Sequence, residues 1–184
     1  MNYERAYYPE SRFGGFTDFD GTMAFYLRIN SLVDPSSVVL DIGCGKGAYA
    51  EDAVLLRRGL RIFRGKVNKV VGVDTAKTAQ ENPFVDEFHL TVDSSNWPLS
   101  DESVDLCLCD QVLEHIENPE LFFSECRRVT KRGGYLCIRT TNVQSYVGLA
   151  SRLVPDKSHA LVLGKVQDNR KEGVFFLPCI DATA

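Results

Sequence analysis

Val38-Val39-Leu40-Asp41-Ile42-Gly43-Cys44-Gly45-Lys46-Gly47 is the stretch that decides the fold. Its first five residues are apolar apart from Asp41 and mostly β-branched, the composition of a short strand buried on both faces. Three glycines at alternate positions follow at once. Such a turn lets another molecule approach the main chain closely and aims free N–H groups at it. The spacing predicts a helix from Ala48 to about Gly59, with Ala50, Ala53, Val54 and Leu56 as packing positions. Four more strands are expected: Lys69 to Val73 ending in Asp74, Glu87 to Leu90, Val104 to Cys109 ending in Asp110, and Tyr135 to Arg139. Asn118-Pro119 opens a helix with a capping residue and proline in its first turn. Leu121, Phe122, Cys126 and Val129 are its expected buried side, and Lys131-Arg132-Gly133-Gly134 its stop. Strands alternating with helices specify an α/β fold, a doubly wound, mostly parallel sheet with helices on both faces.

Upstream, Thr22 to Val33 reads as a helix ended by the turn Asp34-Pro35-Ser36-Ser37. Residues 1–20 carry Tyr3, Tyr7, Tyr8, Phe13, Phe16 and Phe19 without strand alternation or helical period, so they read as an irregular arm that packs on something. The chain of 184 residues is about one domain of ~150 residues. With 44% hydrophobic and 25% charged residues it has the material for a core, which argues against global disorder. No run approaches the ~20 apolar residues of a membrane helix, and Met1 leads into no apolar signal segment. The net charge of −4 argues against non-specific nucleic-acid binding. Cys44, Cys107, Cys109, Cys126, Cys137 and Cys179 include no C-x-x-C pair, so reduced thiols in a cytoplasmic protein are expected. Cys107 and Cys109 should share one strand face.

The glycines alone leave the ligand open, because G-x-G-x-x-G/A also fits Gly43, Gly45 and Ala48 and would suit a nicotinamide enzyme. Asp41, two residues before the first glycine, tilts the choice. A carboxylate there suits a cationic ligand group and would repel a pyrophosphate. Asp74, at the end of the second strand, suits two ribose hydroxyls in either reading.

With the block from Trp97 to Asn142, the sequence resembles the class I S-adenosylmethionine-dependent methyltransferases. Val38 to Gly47 looks like their first motif and Val71-Gly72-Val73-Asp74 like the second. Trp97-Pro98-Leu99-Ser100-Asp101-Glu102-Ser103-Val104-Asp105-Leu106 resembles the entry to strand four, and Cys109-Asp110-Gln111-Val112-Leu113-Glu114-His115-Ile116 its exit. Arg127 to Tyr135 resembles the approach to strand five. The resemblance covers roughly residues 36–142 and looks closest to the small-molecule enzymes with Leu-Glu-His after strand four.

The resemblance implies S-adenosyl-L-methionine as cofactor, S-adenosyl-L-homocysteine as product, and methyl transfer by in-line displacement to a small-molecule acceptor. Gly43, Cys44, Gly45 and Gly47 are carried over as the cofactor loop, Asp41 as the carboxylate near the methionine part, and Asp74 as the ribose ligand. Asp93 and Ser94 are candidates for the adenine amino group, and Asp110 and Gln111 lie where open α/β sheets place ligands. His115 is the candidate general base if the acceptor is a hydroxyl; the alternative is a residue that packs locally. His89 and His159 have no such context, and no metal cluster is expected. Arg57, Arg58, Arg61, Arg64, Lys66 and Lys69 read as a solvated helix end and linker rather than an RNA platform.

The expected organisation is an N-terminal arm and helix (residues 1–35), a Rossmann-like core (36–142) and a C-terminal segment (143–184). Residues 5–20 are expected to close over the crevice as a lid with an aromatic near the sulfonium. The C-terminal segment reads as a helix from Val143 to Val154 and short strands at His159 to Val166 and Val174 to Ile180. Pro178 confines the last to a sheet edge. The sheet is thus expected to be shortened at its final strands, with an edge through which a homodimer would form. A non-catalytic cofactor-binding module and an NAD-dependent oxidoreductase are the other readings of this scaffold.

Overall fold

The β-branched run Val38–Ile42 forms β1, at the centre of a sheet, in the computed structural model, which describes residues 21–93, 96–141, 174–176 and 180–181. The arm, Ser94, the expected helix at 143–154, the expected strand at 159–166, His159 and Cys179 lie outside the described residues. β2 (Lys69–Asp74), β3 (Glu87–Leu90), β4 (Val104–Asp110) and β5 (Thr130–Thr141) complete a parallel set in the order β3-β2-β1-β4-β5. Where the sequence predicts a sheet shortened at its final strands, β6 (Val174–Phe176) and β7 (Ile180–Asp181) both pair antiparallel with β5 and bring the sheet to seven strands.

Each strand sends alternate residues to opposite faces. On one face Val39, Val70, Leu106 and Leu108 pack with α1 (Thr22–Leu32) through Phe25, Tyr26 and Ile29. On the other, Leu40, Ile42, Val71, Val73, Cys107 and Cys109 pack with α3 (Pro119–Val129) through Phe122, Cys126 and Val129. Cys107 and Cys109 share a face, as their spacing requires. Each fully buried large apolar side chain contributes about 1.5–3 kcal/mol, so these two layers hold the sheet between them. The stripe at 122, 126 and 129 leaves Leu121 on the next face, 49% exposed, which corrects its expected burial.

The helix expected after the glycine loop is broken. A single 3₁₀ turn spans Ala48–Glu51, and α2 runs only from Leu55 to Arg61. Asp52 causes the break: its carboxylate accepts the Val54 N–H at 2.9 Å and holds Arg57 Nη2 at 2.9 Å. A side chain that takes backbone bonds in this way competes with the helical ladder. Leu56, an expected packing position, is 57% exposed. Lys131-Arg132-Gly133-Gly134 also differs from expectation. α3 ends at Val129, and these residues bulge from the start of β5, so that Thr130 pairs with Val104 while Tyr135 pairs with Leu106. Among the described residues no helix is long and apolar enough to cross a membrane.

Candidate cofactor site

Strand order reverses on either side of β1, between β2 and β4, and the crevice outside the carboxyl ends there is where open α/β sheets take ligands. The glycine loop occupies it. Gly43, Gly45 and Gly47 have φ of 66°, 53° and 77°, the left-handed region that favours glycine. A Cβ on Gly43 would fall 2.4 Å from Val112 Cγ2, and one on Gly47 2.7 Å from Asn82 Oδ1. The loop is thus wedged between the exit of β4 and the connector after β2. Gly43 N–H donates to the Val73 carbonyl at 2.8 Å, and Gly45 N–H to Asp74 Oδ2 at 2.9 Å. Asp74 Oδ1 accepts the Ala76 N–H at 2.7 Å. The N–H groups of Lys46, Gly47 and Ala48 have no backbone partner among the described residues.

Beside the loop, on the α3 face, lies a cavity of about 360 Å³. Ile42, Val73, Trp97 and Phe122 give it apolar walls, the two rings meeting edge to face at 5.9 Å. Asp74, Thr75, Thr91, Asp93, His115 and Glu117 supply its polar groups. An apolar slot with a few convergent polar groups is the ordinary character of a small-molecule site. Arg128 holds Trp97 in place through the Trp97 carbonyl at 3.0 Å, while Glu125 accepts the Trp97 N–H at 2.8 Å. His115 ends a 3₁₀ turn, Leu113–His115, and is exposed at the cavity wall.

The α1 face of the crevice is charged. Arg139, 3% exposed, grips Asp110 with Nε at 2.6 Å and Nη2 at 2.7 Å, and also donates to Thr22 Oγ1. The Tyr26 hydroxyl donates to Asp110 Oδ2 at 2.6 Å. Arg61 lies 3.7 Å from the same carboxylate, with its guanidinium over the rings of Tyr49 at 5.0 Å and Tyr26 at 5.5 Å. Strand alternation puts Asp41 on this side too. Its pKa is pushed up from 3.8 to about 7, first by burial and then by the Asp110 charge, with Arg61 pulling the other way and Asp74 adding to the rise. Burial also raises the Tyr26 phenol, with the Asp110 charge second, and pushes the Cys44 thiol up to about 12.

The cavity therefore brings together Gly43, Asp74, Asp93 and His115 among the residues singled out from sequence. Gly45 and Gly47 flank it on the loop. Cys44 contributes main chain only, since its side chain is 5% exposed in the core. Asp110 is turned away into the Arg139 and Tyr26 network. Gln111 holds φ of 57° at the exit of β4, where its N–H donates to the Arg139 carbonyl at 2.7 Å. Sequence reasoning missed Thr75, Thr91, Glu117 and the aromatic wall. Trp97 and Phe122 had a signal, one opening the strand-four motif and the other on the helix stripe.

The basic run is solvated at Arg64 and Lys66, as expected, and half-buried at Arg57, Arg58, Arg61 and Lys69; its charges are partnered within the fold. Arg57 pairs with Asp52, Arg58 donates to the Ala50 carbonyl, Arg64 pairs with Asp86, and Lys69 with Glu87. Lys66 donates to the Gly59 carbonyl. Arg57, Arg58 and Lys66 brace α2 and its ends, Arg64 ties the following connector to the approach to β3, and Lys69 joins β2 to β3. Among the described residues no group of three His, Cys, Asp or Glu is placed to hold a metal ion.

A parallel β3-β2-β1-β4-β5 sheet, a glycine loop after its first strand and an acid ending the second define a Rossmann-like domain for an adenosyl cofactor. The chain belongs to the class I S-adenosylmethionine-dependent methyltransferases, since the family model described as a methyltransferase domain matches residues 40–138, more than half of it. That membership removes the nicotinamide reading. A probable S-adenosylmethionine-dependent methyltransferase of Mycolicibacterium smegmatis is 33% identical over 109 residues, covering 56% of this chain and 38% of that one. A ubiquinone biosynthesis O-methyltransferase of Rhizobium etli is 29% identical over 146 residues, covering 73% and 57%. Among solved structures, a putative methyltransferase of Haloferax volcanii in complex with its Trm112 activator superposes with a TM-score of 0.55 at 20% identity, over 86% of this chain and 71% of that one. The chain spans about half or less of the length of most curated relatives it matches.

Proposed function

We propose that this chain forms the cofactor-binding and catalytic domain of an enzyme that methylates a small-molecule acceptor by in-line displacement. The observation that carries the reading is the meeting of Gly43, Asp74, Asp93 and His115 around one apolar cavity at the strand-order reversal. The cofactor would lie across the sheet end, with its adenosine in the cavity, its ribose at Asp74 and its ammonium at Asp41. Asp93 is the group nearest in kind to an adenine amino acceptor. The sulfonium supplies an already activated methyl group, so the chain's work is to position the acceptor and exclude water. His115 would take the proton of a hydroxyl acceptor, and it is dispensable for an acceptor atom that carries none.

The experiment is a thermal-shift comparison of S-adenosylhomocysteine with NAD. A ligand at 100 times its Kd stabilises the native state by ~2.7 kcal/mol. A shift with S-adenosylhomocysteine alone supports the proposal, and a shift with NAD alone sinks it. For the acceptor, the relatives named as malonyl-[acyl-carrier protein] O-methyltransferase and norajmaline N-methyltransferase make oxygen and nitrogen nucleophiles the first to test. Binding without turnover on any acceptor would favour the non-catalytic module.

A further inference from the structure

Asn82 is a buried polar residue, 4% exposed, on the connector between β2 and β3, a segment that none of the methyltransferase motifs includes. Its Nδ2 donates to the Cys44 carbonyl at 2.9 Å, in the middle of the glycine loop. Its Oδ1 accepts the Phe84 N–H at 2.9 Å, and its own N–H donates to the Ala79 carbonyl at 3.0 Å. Pro83 follows and restricts Asn82 to the extended region, in agreement with φ −65° and ψ 113°. The amide is therefore fixed before it meets the loop. Gly47 lies directly against it, where a Cβ would also come within 2.9 Å of the Phe84 ring.

We propose that Asn82 is a positioning residue for the cofactor loop: its amide holds the Cys44 carbonyl inward and backs Gly47, so that the N–H groups of Lys46, Gly47 and Ala48 face the crevice. The peptide between Cys44 and Gly45, in the middle of the loop, is then held on its two sides by different elements. Asp74 holds the Gly45 N–H from β2, and Asn82 holds the neighbouring carbonyl from the connector. Peptide groups pinned at both ends reorganise little on binding, and a loop set in advance binds more tightly than one that must be ordered. An aspartate at this position could not donate to the carbonyl and would face it with two acceptor oxygens.

The inference rests on the proposed cofactor reading, so its test has a readout that needs no ligand. Asn82→Asp should speed amide hydrogen exchange at Gly43 to Ala48 at least tenfold while exchange in β1 and β4 stays unchanged. It should also raise the Kd for S-adenosylhomocysteine at least tenfold in calorimetry. Arg64→Ala is the control. It releases the same connector from another side, by removing the bonds to the Pro83 carbonyl and Asp86, and should change the Kd less than twofold. Should Asn82→Asp not fold, Asn82→Ala replaces it, leaving the Cys44 carbonyl unpaired without a new charge. Unchanged loop exchange, a Kd within twofold of the parent, or an equal loss in Arg64→Ala overturns the proposal. If the parent protein does not bind S-adenosylhomocysteine, the cofactor reading fails, and the exchange data still decide whether Asn82 holds the loop.

Discussion

Asp41→Asn separates stability from binding. The folded chain holds the Asp41 proton up to about pH 7, whereas an exposed aspartate releases it near 3.8. Between those values the folded state binds more protons than the unfolded one, so stability falls as pH rises through the window. The interval of about three pK units at 1.36 kcal/mol each gives an upper bound of ~4 kcal/mol above pH 7. The side chain is only half-buried, which brings the expected figure to ~2–3 kcal/mol. Asparagine has the same shape and no charge. At pH 8 the variant without ligand should therefore melt higher, by on the order of 5–10 °C for a chain of this size. At pH 5, where the parent is protonated, the two should melt alike. Binding should move the other way. The asparagine cannot pair with the cofactor's ammonium, so the Kd for S-adenosylhomocysteine should rise at least tenfold at pH 8. The parent's own affinity should weaken as pH falls below about 7. Melting curves from pH 5 to 9, with calorimetry at both ends, measure all of this. A variant that melts at or below the parent at pH 8 would refute the assignment of Asp41 as a half-buried carboxylate that desolvation and the Asp110 charge hold protonated up to about pH 7.

Asp74→Ala removes the acceptor of the Gly45 and Ala76 N–H groups and the proposed ribose ligand; calorimetry should show S-adenosylhomocysteine weakened by roughly 1–3 kcal/mol. At Gly45 a Cβ would meet nothing within 4 Å, yet φ is 53°. Gly45→Val should therefore fold, with a backbone cost of about 1–2 kcal/mol, and lose cofactor binding, which circular dichroism and calorimetry together would show. Arg139→Met strands the buried Asp110 carboxylate and should cost about 3–5 kcal/mol in urea denaturation, much of it recovered by adding Asp110→Asn. Deleting residues 1–16 tests the proposed lid: cofactor affinity should drop more than the melting temperature without ligand, and equal affinity would make the arm merely structural.

The loop and the strand before it were legible because their signals are local. A β-branched run, three glycines and an acid two residues upstream lie within ten consecutive positions, and φ above zero selects glycine whatever packs around it. The parallel sheet followed from the same kind of pattern, repeated. Side-chain partners did not follow. Asp41 and Asp110 both lie near the carboxyl ends of neighbouring strands, and nothing local says that one is repelled while the other is gripped. That difference comes from Arg139 and Tyr26, the latter 84 residues from the carboxylate it bonds. Asp52 reads as an ordinary helix residue until Arg57 and the Val54 N–H take it. The basic run reads as solvated and is so at Arg64 and Lys66, but the carboxylates and carbonyls that partner its charges are named only by the fold. Backbone conformation is set by a few neighbouring residues, so a sequence carries it openly. The charge state and direction of a side chain depend on burial and on distant partners, and only the closed tertiary structure supplies both.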